Sequence, residues 1–416
     1  MTYYILIGFC LVILFAYFFD ITSKHTKIPS ALILILIGMA LNYVAGYFEL
    51  HIPYMDRILP VMGTLGLILI VLEASLDLTL SREKRLIIMG ASSSAVLLFL
   101  VFVGLLAFVA VSCFDYDIKT CIINIIPIAV ISSAIAIPSA MGLSRTDREF
   151  VTYESSLSDI LGILAFNFIL LFNGSLAAGI FSFFAELILT LLASIIFSAF
   201  LAYMLHKINH HVKYVIIMTA IVLVYALANL IHLPSLFVVL IFGLVMNNNL
   251  LFKNKFSEKI ICFEEFNEDL NSFKNITAEL NFIVRSFFFL LFGFFTSFYD
   301  LISLSNLKFA VGICAIIFLL RALYFKTVLR LPLNPLFYFA PRGLITILLF
   351  LSIPAGLLLP FMNVGIVTQV IFITILMMTF GSIIFKKVDE LVTPLSKKEK
   401  GPCRDKNMSK DKIGTV

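Results

Sequence analysis

Phe150-Val151-Thr152-Tyr153-Glu154-Ser155-Ser156-Leu157-Ser158-Asp159-Ile160-Leu161-Gly162 opens a run that stays predominantly apolar as far as Phe172. Its length suits a helix crossing the ~30 Å hydrocarbon core of a bilayer. It nevertheless carries two carboxylates. At about 1.5 Å per residue, Asp159 lies roughly 13 Å from the end at Phe150, near mid-membrane. Ser155 and Asp159 are four residues apart and so share one helical face. A carboxylate at that depth points by default to an ion pathway or a proton relay.

The rest of the chain reads the same way. Of 416 residues, 61% are apolar and 13% charged, and the mean hydropathy is +1.07. Soluble domains hold roughly 45–50% and 25%, so a soluble fold is excluded. Apolar runs place spans near 2–19, 29–48, 57–79, 86–112, 120–142, 150–172, 178–205, 213–231, 233–252, 277–299, 308–329, 335–357 and 362–385. The apolar content allows about thirteen crossings at ~20 residues each. The reading is an all-α polytopic membrane protein partnered by the lipid bilayer. The net charge of +5 sits in loops and a tail, not on one solvated face, so no nucleic-acid partner is expected. Met1-Thr2-Tyr3-Tyr4 has no basic region or cleavage site, and the first span is expected to be retained. The six cysteines lack metal-ligand spacing, and no cofactor is expected. A disulfide between Cys113 and Cys121, across the loop Phe114-Asp115-Tyr116-Asp117, is the minor reading.

Lys and Arg test the phase of the spans, because cytoplasmic loops collect them. One set of alternate loops, with the tail, holds twenty-four; the other holds Arg57, Lys119 and Lys308. The N-terminus is therefore expected outside and the C-terminus in the cytoplasm. Arg285, Arg321 and Arg342 fall inside spans and require partners, for which Glu73, Glu154 and Asp159 are the acidic candidates. Residues 391–416 read as a disordered, basic cytoplasmic tail, and 1–390 as the transmembrane domain. Residues 253–276 suit either a helix lying on the inner surface or a solvated loop. The six histidines fall in loops or at span ends, without a nucleophile, so an enzyme is not expected; His206, His210 and His211 as pH sensors are the minor reading.

Two spans carry helix-interrupting groups. The fifth contains Ser132-Ser133-Ala134-Ile135-Ala136-Ile137-Pro138, in which proline removes a backbone donor that small hydroxyl residues can compensate. The twelfth contains Pro341-Arg342-Gly343. Being seven spans apart, the two are oppositely oriented, as in inverted repeats built from spans 2–6 and 9–13. Broken helices at corresponding positions of such repeats point to a transporter's binding site.

Glu154-Ser155-Ser156-Leu157-Ser158-Asp159 resembles the E-S-x-x-N-D signature of monovalent cation:proton antiporters of the sodium/hydrogen exchanger type. Leu65-Gly66 through Leu72-Glu73-Ala74-Ser75-Leu76-Asp77-Leu78 is similar to their third-span F-E-G-G-L-(N/D)-L pattern. Ser235 to Asn248, Arg285 to Gly293 and Pro341-Arg342-Gly343-Leu344 look like the ninth, tenth and twelfth spans. The resemblance covers essentially residues 1–390. It implies a fold with a core domain and a dimerisation domain, a homodimer, and a multi-pass place in the cell's inner membrane, serving cation transport and pH homeostasis. It also implies that Asp159 carries the exchanged cation or proton, with Ser155, Glu73 and the broken fifth helix at Ser132 and Ser133 completing the site. Glu154 becomes structural, paired with an eleventh-span arginine that falls on Arg321; Arg342 is a competing partner. Arg285 supplies charge compensation.

Two departures from the family pattern matter. Ser158 stands where Asn or Asp precedes the carboxylate, and Ser132-Ser133 where many relatives have Thr-Asp-Pro. One mid-membrane acid then favours an electroneutral cycle, although a basic group such as Arg285 also occurs in electrogenic branches. The mechanism needs no family. Burial disfavours a bare carboxylate, so a proton and a small cation compete for the same oxygens. Hard oxygen ligands suit sodium, taken first, with potassium and lithium open. A cation channel or a membrane-embedded sensor without obligatory exchange is the alternative.

Overall fold

The computed structural model describes residues 2–26, 28–47, 55–78, 84–171, 176–207, 212–231, 233–248, 263–330 and 332–385. The tail at 391–416, residues 253–262, His210, His211 and His232, and the Cys113 side chain lie outside them. Among the described residues the regular structure is helical throughout: α1 (Thr2–Thr26), α2 (Ser30–Tyr47), α3 (Met55–Asp77), α4 (Arg85–Phe114), α5 (Ile118–Ala129), α6 (Ser133–Ser139), α7 (Arg145–Leu171), α8 (Leu176–Lys207), α9 (Lys213–Leu230), α10 (Ser235–Asn247), α11 (Phe263–Phe295), α12 (Phe298–Ile302), α13 (Leu304–Tyr324), α14 (Leu344–Leu351) and α15 (Val364–Ile384). Helices α5 and α6 form one interrupted segment, α14 follows a short turn at Leu336–Tyr338, and the five-residue α12 is a connector. The helices thus make thirteen segments where the sequence has thirteen apolar runs. Among the described residues, seven are long and apolar enough to cross a membrane by that measure alone.

Local chemistry sets several boundaries. Helix α7 begins five residues before the apolar run because Ser144 and Asp147 close its first turn. The Ser144 hydroxyl accepts the Asp147 N–H at 3.2 Å and donates to the Asp147 carboxylate at 2.6 Å, a reciprocal cap for an open helix end. Asp117 caps α5 by accepting from Lys119 and Thr120, and Asn363 caps α15 by accepting from Ile366 at 2.9 Å.

Residues 263–276 correct the expectation of a surface helix or loop: they are the first turns of α11. At ~50 Å this helix outruns the bilayer core. A stripe of Phe266, Leu270, Phe273, Thr277 and Asn281 is buried along it, at the 3–4-residue spacing of one helical face. An ion pair between Lys213 and Asp269 ties its protruding end to α9.

The helices pack as two bundles. One comprises α1–α3 and α8–α11, the other α4–α7 and α13–α15, and they meet sparsely, mainly where α3 touches α7 and α14 and where α10 touches α7. The packing repeats at an interval of seven spans. Helix α2 lies on α11 as α10 lies on α3, and α4 lies on α7 as α13 lies on α15. Pro29-Ser30 and Pro234-Ser235 each lead, eight residues after the serine, to Gly38 and Gly243, and each glycine is followed four residues on by Asn42 or Asn247. The internal repeat is written in the sequence at these positions.

Candidate functional site

Helix α5 stops at Ala129, and Val130 to Ser132 run extended before α6 begins. The interruption is not at Pro138, which lies inside α6. Proline there has no N–H for the carbonyl four residues back, that of Ala134. Arg285 of α11 takes that carbonyl instead, donating from Nη1 at 3.1 Å. The break proper is held from the second interrupted segment, where Ser132 N–H donates to the Pro341 carbonyl at 2.9 Å. The two breaks therefore cross. A methyl group on Gly343 would run into the Ser132 and Ile135 side chains, so the crossing needs glycine there.

Helix α7 supplies the acids. Glu154, Ser155, Ser158 and Asp159 are all buried. Ser158 Oγ accepts the Ile131 N–H at 2.9 Å, and Asp159 Oδ2 accepts the Ser133 N–H at 3.1 Å. The exposed amides of the break are thus satisfied by side chains of the next span. Ser155 uses its proton on the Val151 carbonyl, at 2.7 Å, which leaves its oxygen lone pairs available. At this crossing two buried oxygens, Asp159 Oδ1 and Ser132 Oγ, have no hydrogen-bond partner among the described residues. An unsatisfied carboxylate oxygen away from water is costly. A proton or a small hard cation would relieve that cost.

Charges at the helix ends are complementary. Asp159 faces the N-terminus of α6, the positive end of its dipole, and Arg342 faces the C-terminus of α5, the negative end. Arg342 donates to the carbonyls of Ile128 at 2.8 Å, Ala129 at 3.2 Å and Ala340 at 2.7 Å. It does not pair with Glu154. Arg321 does, through two parallel bonds of 2.8 and 2.7 Å, the bidentate geometry that guanidinium and carboxylate share. Arg321 also holds the Leu336 and Phe339 carbonyls and stacks on Phe325 with its carbon 4.8 Å from the ring centre. The Ser94 hydroxyl donates to the same Glu154.

Glu73 stands apart from this crossing. Its carboxylate accepts from the Asn281 side chain and faces a cavity of about 480 Å³, lined also by Asp20, Asp77, Ala134, Met141 and Arg285. Asp159 is not in the lining; the start of α6 separates it from the hollow. The lining comes from the ends of α1, α3, α6 and α15 and the start of α2, all next to Lys- and Arg-rich connections, and from the middle of α11. Cys121 and Cys314 are free and buried.

Sequence reasoning passed over Thr374, Asn281, Ser94 and Gly162. Thr374 Oγ1 accepts the Arg342 N–H at 3.0 Å, as Ser158 accepts that of Ile131. Each donor is the residue just before the cap of the second half-helix, Ser132 or Gly343. Each acceptor is a hydroxyl residue one span later, and its next residue is Asp159 in one case and Ile375 in the other. The thirteenth span holds four hydroxyl residues, Thr368, Thr374, Thr379 and Ser382, and the available signal for Thr374 was its place seven spans after Ser158, in the register of the repeat.

Comparison with known proteins agrees with this architecture. The family model described as "Sodium/hydrogen exchanger, transmembrane" matches residues 10–387. Among solved structures, the chain is similar to the sodium proton antiporter MjNhaP1 of Methanocaldococcus jannaschii at pH 8. The TM-score is 0.66 and the identity 19%, covering 93% of this chain and 100% of that one. An electron-microscopy structure of MjNhaP1 gives a TM-score of 0.62 and 20% identity, over 92% and 95% of the two chains. No curated protein matches this chain in sequence.

Proposed function

Because the chain belongs to the sodium/hydrogen exchanger family, we propose that it exchanges a monovalent cation, sodium first, for a proton, with Asp159 as the shared carrier. The observation that carries this reading is the buried Asp159 carboxylate, one oxygen held by Ser133 N–H and the other without a partner among the described residues. Sodium would take Asp159 Oδ1 with oxygens from Ser132 and Ser155; a proton would take the same carboxylate. Occupancy by one excludes the other, and that exclusion couples the two fluxes.

A single acid per cycle supports electroneutral exchange of one cation for one proton. Glu154 is neutralised by Arg321, and Ile375 leaves the second repeat without a carboxylate. Glu73, in the cavity, is the entry ligand in this reading, and Arg285 compensates the acidic lining. Sparse contact between the two bundles fits alternating access, one bundle moving against the other around the site. The cavity lies beside helix ends that carry the basic loops, the side that the positive-inside rule assigns to the cytoplasm, with the N-terminus outside. A homodimer in the cell's inner membrane completes the proposal.

Proton efflux from proteoliposomes on addition of sodium, potassium or lithium tests it. Native protein is expected to exchange, and Asp159→Asn to lose exchange while remaining folded. Exchange retained by Asp159→Asn would move the site elsewhere, and a cation current without proton coupling would make the protein a channel.

A further inference from the structure

We propose that Thr374, on α15 and apart from the cation oxygens, is a positioning residue that sets the geometry of the Asp159 site from the second repeat. Its side chain is fully buried. The hydroxyl accepts the Arg342 N–H at 3.0 Å and donates to the Val370 carbonyl at 2.8 Å. Arg342, fixed at its backbone, lays its guanidinium on Ile128 and Ala129, the last carbonyls of α5. The next residues, Val130 to Ser132, lead directly to the Ser133 N–H that Asp159 accepts. Thr374 therefore acts on Asp159 through Arg342 and the end of α5.

The repeat explains why this residue carries such a role. Ser158 and Thr374 grip equivalent amides of the two breaks, but only Ser158 is followed by an acid. The second repeat keeps the grip and has Ile375, fully buried, in the acid's place. Its break meets the first through Ser132 and Pro341, so a shift in either is felt at the other. Removing one buried hydrogen-bond acceptor leaves the Arg342 amide unsatisfied and frees Arg342 to move.

The inference rests on the proposed cation site at Asp159. Two measurements on the purified full-length protein keep the two apart: half-saturating sodium for exchange in proteoliposomes, and half-saturating sodium for thermal stabilisation in detergent. Thr374→Val is expected to raise both constants roughly fivefold to tenfold with little change in maximal rate, and Thr374→Ser to restore them. A merely structural residue would lower the sodium-free melting temperature and leave both constants alone, which would overturn the proposal. Should Thr374→Val fail to fold, Thr374→Ala is read in the same way, and failure of both to fold also overturns it. If native protein binds sodium but does not exchange, the function fails and the binding constants still decide Thr374. If sodium leaves the native melting temperature unmoved and drives no proton flux, both fail together.

Discussion

Glu154 receives Arg321 through both carboxylate oxygens and Ser94 through one, so Glu154→Gln would leave a guanidinium buried without its counter-charge. Breaking a buried pair from one side costs about 3–5 kcal/mol. The expected result is a marked fall in melting temperature and in the amount recovered from membranes, exceeding any change in sodium affinity. An affinity change at unaltered stability would make Glu154 a ligand instead. Both arginines near it were visible in the sequence as charges inside spans, but their division of work was not. Arg321 and Arg342 lie 21 residues apart on different segments. Which of them reaches Glu154 depends on how α13 is rotated and where the twelfth span is interrupted. The small groups that complete the site were harder still to see, because a serine or threonine hydroxyl bonded to its own helix and one gripping a neighbouring break look alike in sequence.

Helix breaks are the elements on which the site depends, and their position is set over long range. Pro138 marked the fifth span as interrupted, yet the chain opens at Val130–Ser132 because Ile131, Ser132 and Ser133 find acceptors on α7 and at Pro341. Proline's effect falls on the Ala134 carbonyl, which Arg285 collects from the opposite bundle. Gly162 gives the break room: a methyl group there would overlap the Val130 side chain. Overpacking of this kind typically costs about 1–3 kcal/mol, and a shift of Val130 would carry with it the amides that follow. Gly162→Ala is therefore expected to yield folded protein with exchange reduced at least tenfold, measured as sodium-driven proton flux. Undiminished exchange would mean that the break tolerates displacement.

At the scale of the whole molecule, competition for one carboxylate predicts a pH dependence of definite sign. As pH rises toward the carboxyl's own titration, fewer sites hold a proton, so half-saturating sodium should fall by about tenfold per unit and then level off. An imposed membrane potential should leave the flux unchanged. Sodium affinity independent of pH, or flux that follows voltage, would defeat the one-for-one cycle. Thirteen segments and a repeat of span order were legible because the bilayer forces each crossing to be a long apolar helix. Which helices share a bundle was not legible, since lipid-facing and protein-facing sides are equally apolar in a membrane.

Ile375 occupies in one repeat the station that Asp159 occupies in the other. A chain that folds one plan twice is free to let its halves diverge in duty, one remaining a mould while the other keeps the reagent. Heritable change in which ion is chosen should then gather in the half holding the acid, whereas its mirror image would drift under the milder demand of keeping shape.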